Sequence, residues 1–344
     1  MIRFAIPDHP IGMAHVELSV LDLVGMRPGE TAGSAIARSV ETAQHVERLG
    51  YKRFWLAEHH SISGLACSAT AVLIGHVAHA TKTIRVGSGG VMLPNHAPLI
   101  VAEQFGTLAS IYPDRIDLGL GRAPGSDAPT MRALRRDLRS TGDEFPELLQ
   151  ELRGYLGAPR PGQIVHAVPG ENTNVPVTLL GSSGFSAQLA GQLGLPFAFA
   201  AHFAPDYLLP AIHLYRQNFR PSATLNSPYA MAGIPVLVAD TDAEAQRLFT
   251  TPQQRFLSLI RNQPVELKAP VDTMDGKWNP MEKEAVDARL REAIVGSPET
   301  VSRKLQEFVQ KTGVQEIFAV TDTYEQSDRL RSYELLAQVA GSLS

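Results

Sequence analysis

Cysteine is nearly absent from this sequence: Cys67 is the single one among 344 residues. A lone cysteine has no partner in the same chain, so an intramolecular disulfide is excluded, and with it the class of small disulfide-stabilised domains. We expect Cys67 to be a buried, unreactive packing residue.

Long apolar runs and an excess of one charge are also lacking. No apolar segment reaches the roughly 20 residues that a membrane-spanning helix needs, and no charged start leads into an apolar run with a cleavage site. The formal net charge is −4, and the basic residues are spread along the chain, which gives no patch for nucleic acid. These absences predict a soluble, cytoplasmic protein, with no nucleic acid or membrane as partner.

Three widespread site motifs are missing too. Without G-x-x-x-x-G-K-[ST] the chain is not a P-loop NTPase, and the Gly-Leu-Gly-Arg sequence at 119–122 is not a Rossmann fingerprint. The spaced histidine pair of H-E-x-x-H is not found either, which argues against a common zinc motif. Any site must therefore be assembled from separate segments of the chain.

The stretch from 84 to 127 shows the unit from which the chain is built. An apolar strand at 84–87 leads into a tight turn of small residues at 88–90, and a helix with a periodic apolar face covers 98–111. A second strand at 116–120 ends in glycine, with Arg122 just beyond. Strands that end in glycine followed by polar groups are typical of a parallel sheet whose carboxyl ends hold a ligand.

The same alternation of strand and helix continues along the whole chain. The predicted strands are 16–21, 53–57, 84–87, 116–120, 176–180, 197–200, a strand within 229–239, and 316–320. Eight such units predict an α/β fold, a (β/α)8 TIM barrel forming one domain over 1–344. We expect an N-terminal extension at 1–15 and an insertion at about 250–295, after strand seven, that could act as a lid. A doubly wound open sheet is the rival, but it would leave two long edges to protect.

The carboxyl ends of these strands carry the candidate site residues, because a barrel brings those ends together. They are His59, His60, Gly89, Gly90, Arg122, Gly181, Ser182, Ser183 and His202.

A phosphate site is the first interpretation of this set. The Gly-Ser-Ser-Gly sequence at 181–184 opens a helix, where free backbone N–H groups and the hydroxyls of Ser182 and Ser183 can hold an anion. Arg122, one strand away, would face the same anion. The alternative is that the two serines only cap the helix; the nearby arginine favours the phosphate.

An acid/base role is the second interpretation, for Glu58, His59 and His60. Metal binding and simple packing are the alternatives. Alternation along an extended chain puts residues 58 and 60 on one side and 59 on the other, a poor geometry for three ligands of one ion. A neutral imidazole at a strand end can exchange a proton near pH 7. We expect Asn95 and His96 to cap the helix that begins at 98.

Four segments together resemble the bacterial luciferase-like flavin monooxygenases: FWLAEHH at 54–60, VGSGGVMLP at 86–94, DLGLGR at 117–122 and VGSPE at 295–299. Each motif is weak alone, but their order and spacing agree over nearly the whole chain from residue 16. Segments 91–127, 179–183 and 195–206 look especially similar to the YhbW-type subgroup.

The resemblance implies a TIM barrel, usually a homodimer, that binds FMN or, in some branches, the deazaflavin F420. Reduced FMN typically comes from a separate flavin reductase and reacts with oxygen, which is then transferred to a small organic substrate. The resemblance implies that His59 acts in acid/base chemistry and that Gly89 and Gly90 pack on the isoalloxazine ring, often through a cis peptide bond. Arg122, Ser182 and Ser183 match its phosphate-binding positions.

One difference from luciferase limits what the resemblance implies. Luciferase itself has a reactive cysteine just before the matching arginine, where this chain has Gly121, so light emission and thiol chemistry have no support. Substrate selectivity is expected in the loop at 157–174 and in the insertion. An F420-dependent oxidoreductase and a non-catalytic flavin-binding protein remain as alternatives, with a metal hydrolase behind them.

Overall fold

The computed structural model describes residues 16–123, 128–134 and 143–342. The sequence also predicts a loop and basic helix from 123 to about 139. Much of that segment, and the predicted N-terminal extension at 1–15, lie outside the described residues.

The strands of the described residues pair side by side in parallel. They are β1 (Glu17–Asp22), β2 (Arg53–Leu56), β3 (Arg85–Met92), β4 (Ile116–Gly121), β5 (Val177–Gly181), β6 (Phe197–Phe199), β7 (Ala230–Val238), β8 (Ile294–Gly296) and β9 (Glu316–Val320). Strands β1 to β7 follow one another in order, and β9 closes the ring between β7 and β1. The predicted (β/α)8 barrel is therefore confirmed, and the open-sheet rival is wrong.

Helices surround this barrel. They are α1 (Ala32–Arg48), α2 (Thr70–Ala80), α3 (Pro98–Ile111), α4 (Ala128–Ala133), α5 (Phe145–Leu156), α6 (Gly184–Leu193), α7 (Leu208–Asn218), α8 (Asp242–Ile260), α9 (Pro280–Leu290), α10 (Pro298–Thr312) and α11 (Gln326–Ser342). The sequence places a preferred cap residue, Ser297, directly before Pro298, and these residues do cap and begin α10. The sequence also offers Ser34 as the cap of α1, but Thr31 is the cap and the helix begins earlier. None of the helices described combines the length and apolar character that crossing a bilayer requires.

One strand lies outside the eight-membered ring. The first part of β7 pairs with β6 and β9, and its last three residues continue past the ring to pair with β8. The sequence suggested only a helix start at 295–299, because three residues are too few to show an alternating pattern.

The insertion expected at about 250–295 is more regular than the sequence suggests. Its first residues belong to α8, and α9 follows with a capping box between Asn279 and Glu282. The segment between these helices lies on the rim of the barrel. There the Leu267 N–H donates to the Met26 carbonyl at 2.7 Å and the Val265 N–H to the Ser63 carbonyl at 3.0 Å.

A charged network closes the amino end of the barrel. Arg53 donates to Asp117 at 2.7 Å and to Glu316 at 2.9 Å, and Arg85 donates to the second oxygen of Asp117 at 2.6 Å. Asp117 and Glu316 are only 1% and 0% exposed, so each buried carboxylate needs these partners. The two arginines and the two carboxylates balance in charge and fill the amino end of the barrel, which we call the floor.

Removing one charge from this floor should destabilise the fold. Asp117→Asn leaves Arg85 without its carboxylate partner and Arg53 with Glu316 alone. Breaking a buried ion pair costs about 3–5 kcal/mol. Urea unfolding should show this loss. The control is Asp287→Asn, which removes an exposed partner of Lys283 within one helix and should leave the midpoint nearly unchanged. Equal stability of the two variants would contradict the role of the floor.

Candidate active site at the carboxyl end of the barrel

Two histidines stand at the mouth of the barrel with buried, unpartnered nitrogen atoms. Within the described residues, the Nδ1 atoms of His59, after β2, and His202, after β6, have no hydrogen-bond partner. Burial, with a smaller contribution from the charge of Arg255, lowers the pKa of His59 to about 4. Burial likewise lowers the pKa of His202 to about 4, outweighing the opposing effect of the Gly233 backbone. Both imidazoles are neutral at pH 7 and can accept or donate a proton.

His60 points elsewhere and binds Glu58. Its Nε2 lies 2.9 Å from Oε1 of Glu58, a carboxylate that is only 2% exposed. This agrees with the alternation predicted for residues 58 to 60, in which 58 and 60 share a side. The two neighbouring histidines therefore occupy different environments.

His96 completes this second group, which the sequence did not reveal. Its Nε2 lies 2.9 and 3.0 Å from the two oxygens of Glu58. The expected capping of α3 by His96 is wrong, because Ala97 is the cap residue and makes no side-chain bond. Burial alone would raise the pKa of Glu58, but the hydrogen bonds and charges of His96 and His60 outweigh it and hold the pKa below its usual value.

The turn expected at 88–90 is instead part of strand β3. The Gly89–Gly90 peptide bond is cis, as the resemblance implies, and the register with β4 shifts between Gly89 and Val91. The Ser88 hydroxyl spans this irregular place, donating to the Gly119 carbonyl at 2.8 Å and accepting from the Gly119 N–H at 3.0 Å.

Close packing of β3 on its neighbours accounts for the glycines themselves. A Cβ at Gly90 would lie 2.7 Å from the Gly119 carbonyl oxygen, and one at Gly89 would lie 2.7 Å from Leu21. At Gly90 the close atoms belong to the backbone of β4, so no side chain fits there. At Gly89 the closest atom is the end of the Leu21 side chain, which would have to shift. The packing of the barrel therefore requires Gly90 even before any ligand is considered.

A candidate anion-binding corner lies where β4 meets α6. The Arg122 guanidinium lies 4.2 Å from the ring of Phe185, in the first turn of α6. Ser183 is the cap residue, but its side chain makes no capping bond, and the first turn has no acidic residue. The capping alternative is therefore weakened for Ser183, and the free helix end beside a guanidinium fits a phosphate.

Gly181 is also predicted to belong to this corner. Gly181 ends β5 directly before Ser182, and a Cβ at Gly181 would meet Ser186 at 2.7 Å. That glycine thus lets α6 pack closely on the strand. Asp127, considered as a partner of Arg122, lies outside the described residues.

Two ion pairs with buried arginine side chains lie at the mouth of the barrel, and the sequence did not predict them. Arg255 of α8 binds Asp322, and Arg329 of α11 donates to Asp22 at 3.0 Å. A sequence signal existed for the acids, since Asp22 ends β1 and Asp322 follows β9. The arginines gave none, because a long side chain on a helix reveals its partner only once the helix is docked.

The two mouth histidines should resist protonation. Because their pKa values lie below that of an unfolded histidine, the unfolded chain binds more protons between about pH 6.5 and pH 4. The stability contributed by His59 and His202 is thus complete above that window and is lost as the pH falls through it. In an NMR titration both imidazoles should stay neutral at about pH 5.5, whereas His166, whose pKa the Glu171 bond raises, should be protonated. Titration of His59 and His202 near the ordinary value would contradict the buried environment.

Comparison with known proteins agrees with these observations. The model of the luciferase-like monooxygenase family matches residues 16–316. An Escherichia coli (strain K12) protein named luciferase-like monooxygenase is 48% identical over 328 residues, which cover 95% of this chain and 98% of that protein. The uncharacterized protein YvbT of Bacillus subtilis (strain 168) is 55% identical over 325 residues, covering 94% and 96%.

Solved structures agree in fold. Apo-MsnO8 has a TM-score of 0.88 at 38% identity, covering 96% of this chain and 99% of that one. The FMN complex of the oxygenating constituent of 3,6-diketocamphane monooxygenase from Pseudomonas putida scores 0.74 at 20% identity, covering 95% and 98%. An F420-dependent secondary alcohol dehydrogenase scores 0.66 at 14%, covering 96% and 99%. With its barrel, its mouth histidines and this match over most of its length, the chain belongs to the luciferase-like monooxygenase family.

Proposed function

We propose that this protein is a flavin-dependent monooxygenase that uses reduced FMN and oxygen to oxygenate a small organic substrate. The observation that carries the proposal is the meeting, at one end of the barrel, of a candidate anion-binding corner and two neutral histidines whose Nδ1 atoms are buried. The family and the name of the Escherichia coli relative support the same reaction class.

The residues at the mouth fit FMN. Arg122 and the start of α6 would hold its phosphate, with Ser182 and Ser183 as hydroxyl donors. Gly89 and Gly90, which present no side chain, would face the flavin ring. When bound, reduced FMN supplies the two electrons that oxygen needs for insertion into a substrate.

His59 is the proposed acid/base group. Its ring is neutral at pH 7 and its Nδ1 atom has no protein partner among the described residues. Such an atom can hold or pass a proton at the reacting position. His60 is a second candidate, but Glu58 already engages its Nε2.

The rim segment at 264–279 would limit water access. It bonds to the loops after β1 and β2 through the backbone of Leu267 and Val265, so it covers one side of the mouth. A covered mouth keeps solvent from competing for activated oxygen. A separate flavin reductase as electron donor and a homodimeric assembly belong to the proposal through the family alone.

F420 is the second candidate cofactor. It also carries a phosphate that the corner of Arg122 would accept, and an F420-dependent dehydrogenase shares the fold. The FMN-bound neighbour has the higher TM-score, 0.74 against 0.66. A choice between them requires a binding measurement.

Arg122→Ala should weaken FMN binding by about 10- to 100-fold, because a hydrogen bond to a charged group contributes about 1.5–3 kcal/mol. Riboflavin, which lacks the phosphate, should bind almost unchanged. Fluorescence titration of reduced or oxidised flavin measures both affinities. Arg303→Ala, on the exposed face of α10, is the matched control. Equal losses for FMN and riboflavin would remove Arg122 from the phosphate site.

Oxygen reactivity tests the function itself. The protein is mixed anaerobically with reduced FMN, oxygen is admitted, and the absorbance spectrum is followed. A monooxygenase should slow the return to oxidised flavin relative to free FMN, and His59→Ala should change the rate while leaving FMN affinity nearly intact.

Three other results would redirect the assignment. Tight flavin binding with reoxidation as fast as in free solution, for every substrate offered, would indicate a flavin-binding protein without turnover. Binding of reduced F420 in preference to FMN would indicate the dehydrogenase branch. An unchanged rate in His59→Ala would make that histidine structural.

A further inference from the structure

Three potential metal ligands meet beside the proposed flavin site. The Nε2 atoms of His60 and His96 and an oxygen of Glu58 all lie within 4.8 Å of one another. Glu58 and His60 follow β2 and His96 follows β3, so strand pairing in the barrel brings these separate segments together. The histidine nitrogens approach the same carboxylate oxygen, each at 2.9 Å.

This group of three side chains lacks a permanent positive charge to balance the carboxylate of Glu58. Glu58 is only 2% exposed, and within the described part of the chain no lysine or arginine forms an ion pair with it. Among the described residues, the carboxylate is held by hydrogen bonds alone, with no lysine or arginine to supply a permanent positive charge. A divalent cation would supply that charge and bind the ligands more strongly than hydrogen bonds do.

The chemistry of the ligand set suits a transition metal. Two imidazole nitrogens and one carboxylate oxygen form the three-ligand set of several zinc sites that keep a fourth position open. The other oxygen of Glu58 accepts the Met92 N–H at 3.2 Å, which is the supporting bond that ligating carboxylates commonly have. The side chains of His60 and His96 are 18% and 29% exposed, so an ion has a path from solvent.

Only a small rearrangement is needed. Ligands at about 2.0–2.1 Å from a tetrahedral Zn²⁺ lie about 3.3 Å apart, whereas the nitrogen–oxygen distances are 2.9 to 3.0 Å. The nitrogen–oxygen distances would open by less than half an ångström, about the thermal displacement of an ordered atom, and the imidazole rings would turn so that each Nε2 points to the ion. To bind the metal, each Nε2 must be free of its proton.

We propose that Glu58, His60 and His96 form a binding site for a divalent transition-metal ion such as Zn²⁺. The proposal does not depend on the flavin reaction. The site bears on that reaction, because a metal on Nε2 would occupy the ring nitrogen through which His60 hydrogen-bonds Glu58. Bound Zn²⁺ would therefore remove His60 from acid/base chemistry.

Metal titration of the full chain tests the site. After treatment with a chelator and dialysis, Zn²⁺ alone is titrated by calorimetry, and the expected result is one ion per chain with micromolar or tighter affinity. His96→Ala and Glu58→Gln should each weaken binding by about 10- to 100-fold, the loss typical of altered metal surroundings. His45→Ala, which removes a partly buried histidine of α1 that lies 3.4 Å from Glu334, should leave the affinity unchanged.

Cobalt provides a readout that needs no variant. Co²⁺ in a low-coordinate nitrogen and oxygen site absorbs visible light much more strongly than the hydrated ion, so the wild-type chain should develop this band at one equivalent. Absence of saturable Zn²⁺ binding and of the Co²⁺ band would overturn the proposal, even if a variant failed to fold. Equal affinity of wild type and a folded His96→Ala would also overturn it, because the metal would then be bound elsewhere.

Discussion

The guanidinium of Arg53 is the contact on which the closed barrel depends. It joins β2 to Asp117 on β4 and to Glu316 on β9, and neither carboxylate has access to water that would replace this partner. These side chains come together only when the sheet curls and closes, so satisfying their charges and closing the ring are a single requirement. Because the floor is filled by this network, a ligand has one end of the barrel left to enter.

The opposite end is built on a different principle. At the floor each charge has a partner, whereas at the mouth two imidazoles keep an unpartnered nitrogen and a helix begins without a side-chain cap. Unpaired polar groups that are shielded from solvent cost stability, and such costs are commonly tolerated where a ligand makes the missing contacts. The ion pairs of Arg255 with Asp322 and of Arg329 with Asp22 surround this mouth without adding net charge. The difference between the two ends is the physical basis for placing the reaction at the mouth.

Glu58 links two parts of that mouth. It receives bonds from His60 on its own segment, from His96 beyond β3 and from the backbone of Met92. One carboxylate thus fixes the end of β3 relative to β2, next to the glycines at which the flavin ring is expected. His59 has no part in this arrangement, because its side chain leaves the extended chain on the other side. Adjacent histidines in the sequence can therefore have separate tasks.

The sequence by itself determined the strand–helix alternation, and with it the barrel, because hydrophobic period and strand ends are local properties. It also placed His59, His60, Arg122 and Ser183 at one end, since strand ends meet in any parallel barrel. The family motifs added the cis bond at Gly89–Gly90. Only the tertiary structure decided the partners: His96 with Glu58, Arg255 with Asp322, and β8 with the end of β7. Such contacts join residues far apart in the chain, and long side chains and three-residue strands carry no local pattern, so their roles emerge only when the packed elements bring them together.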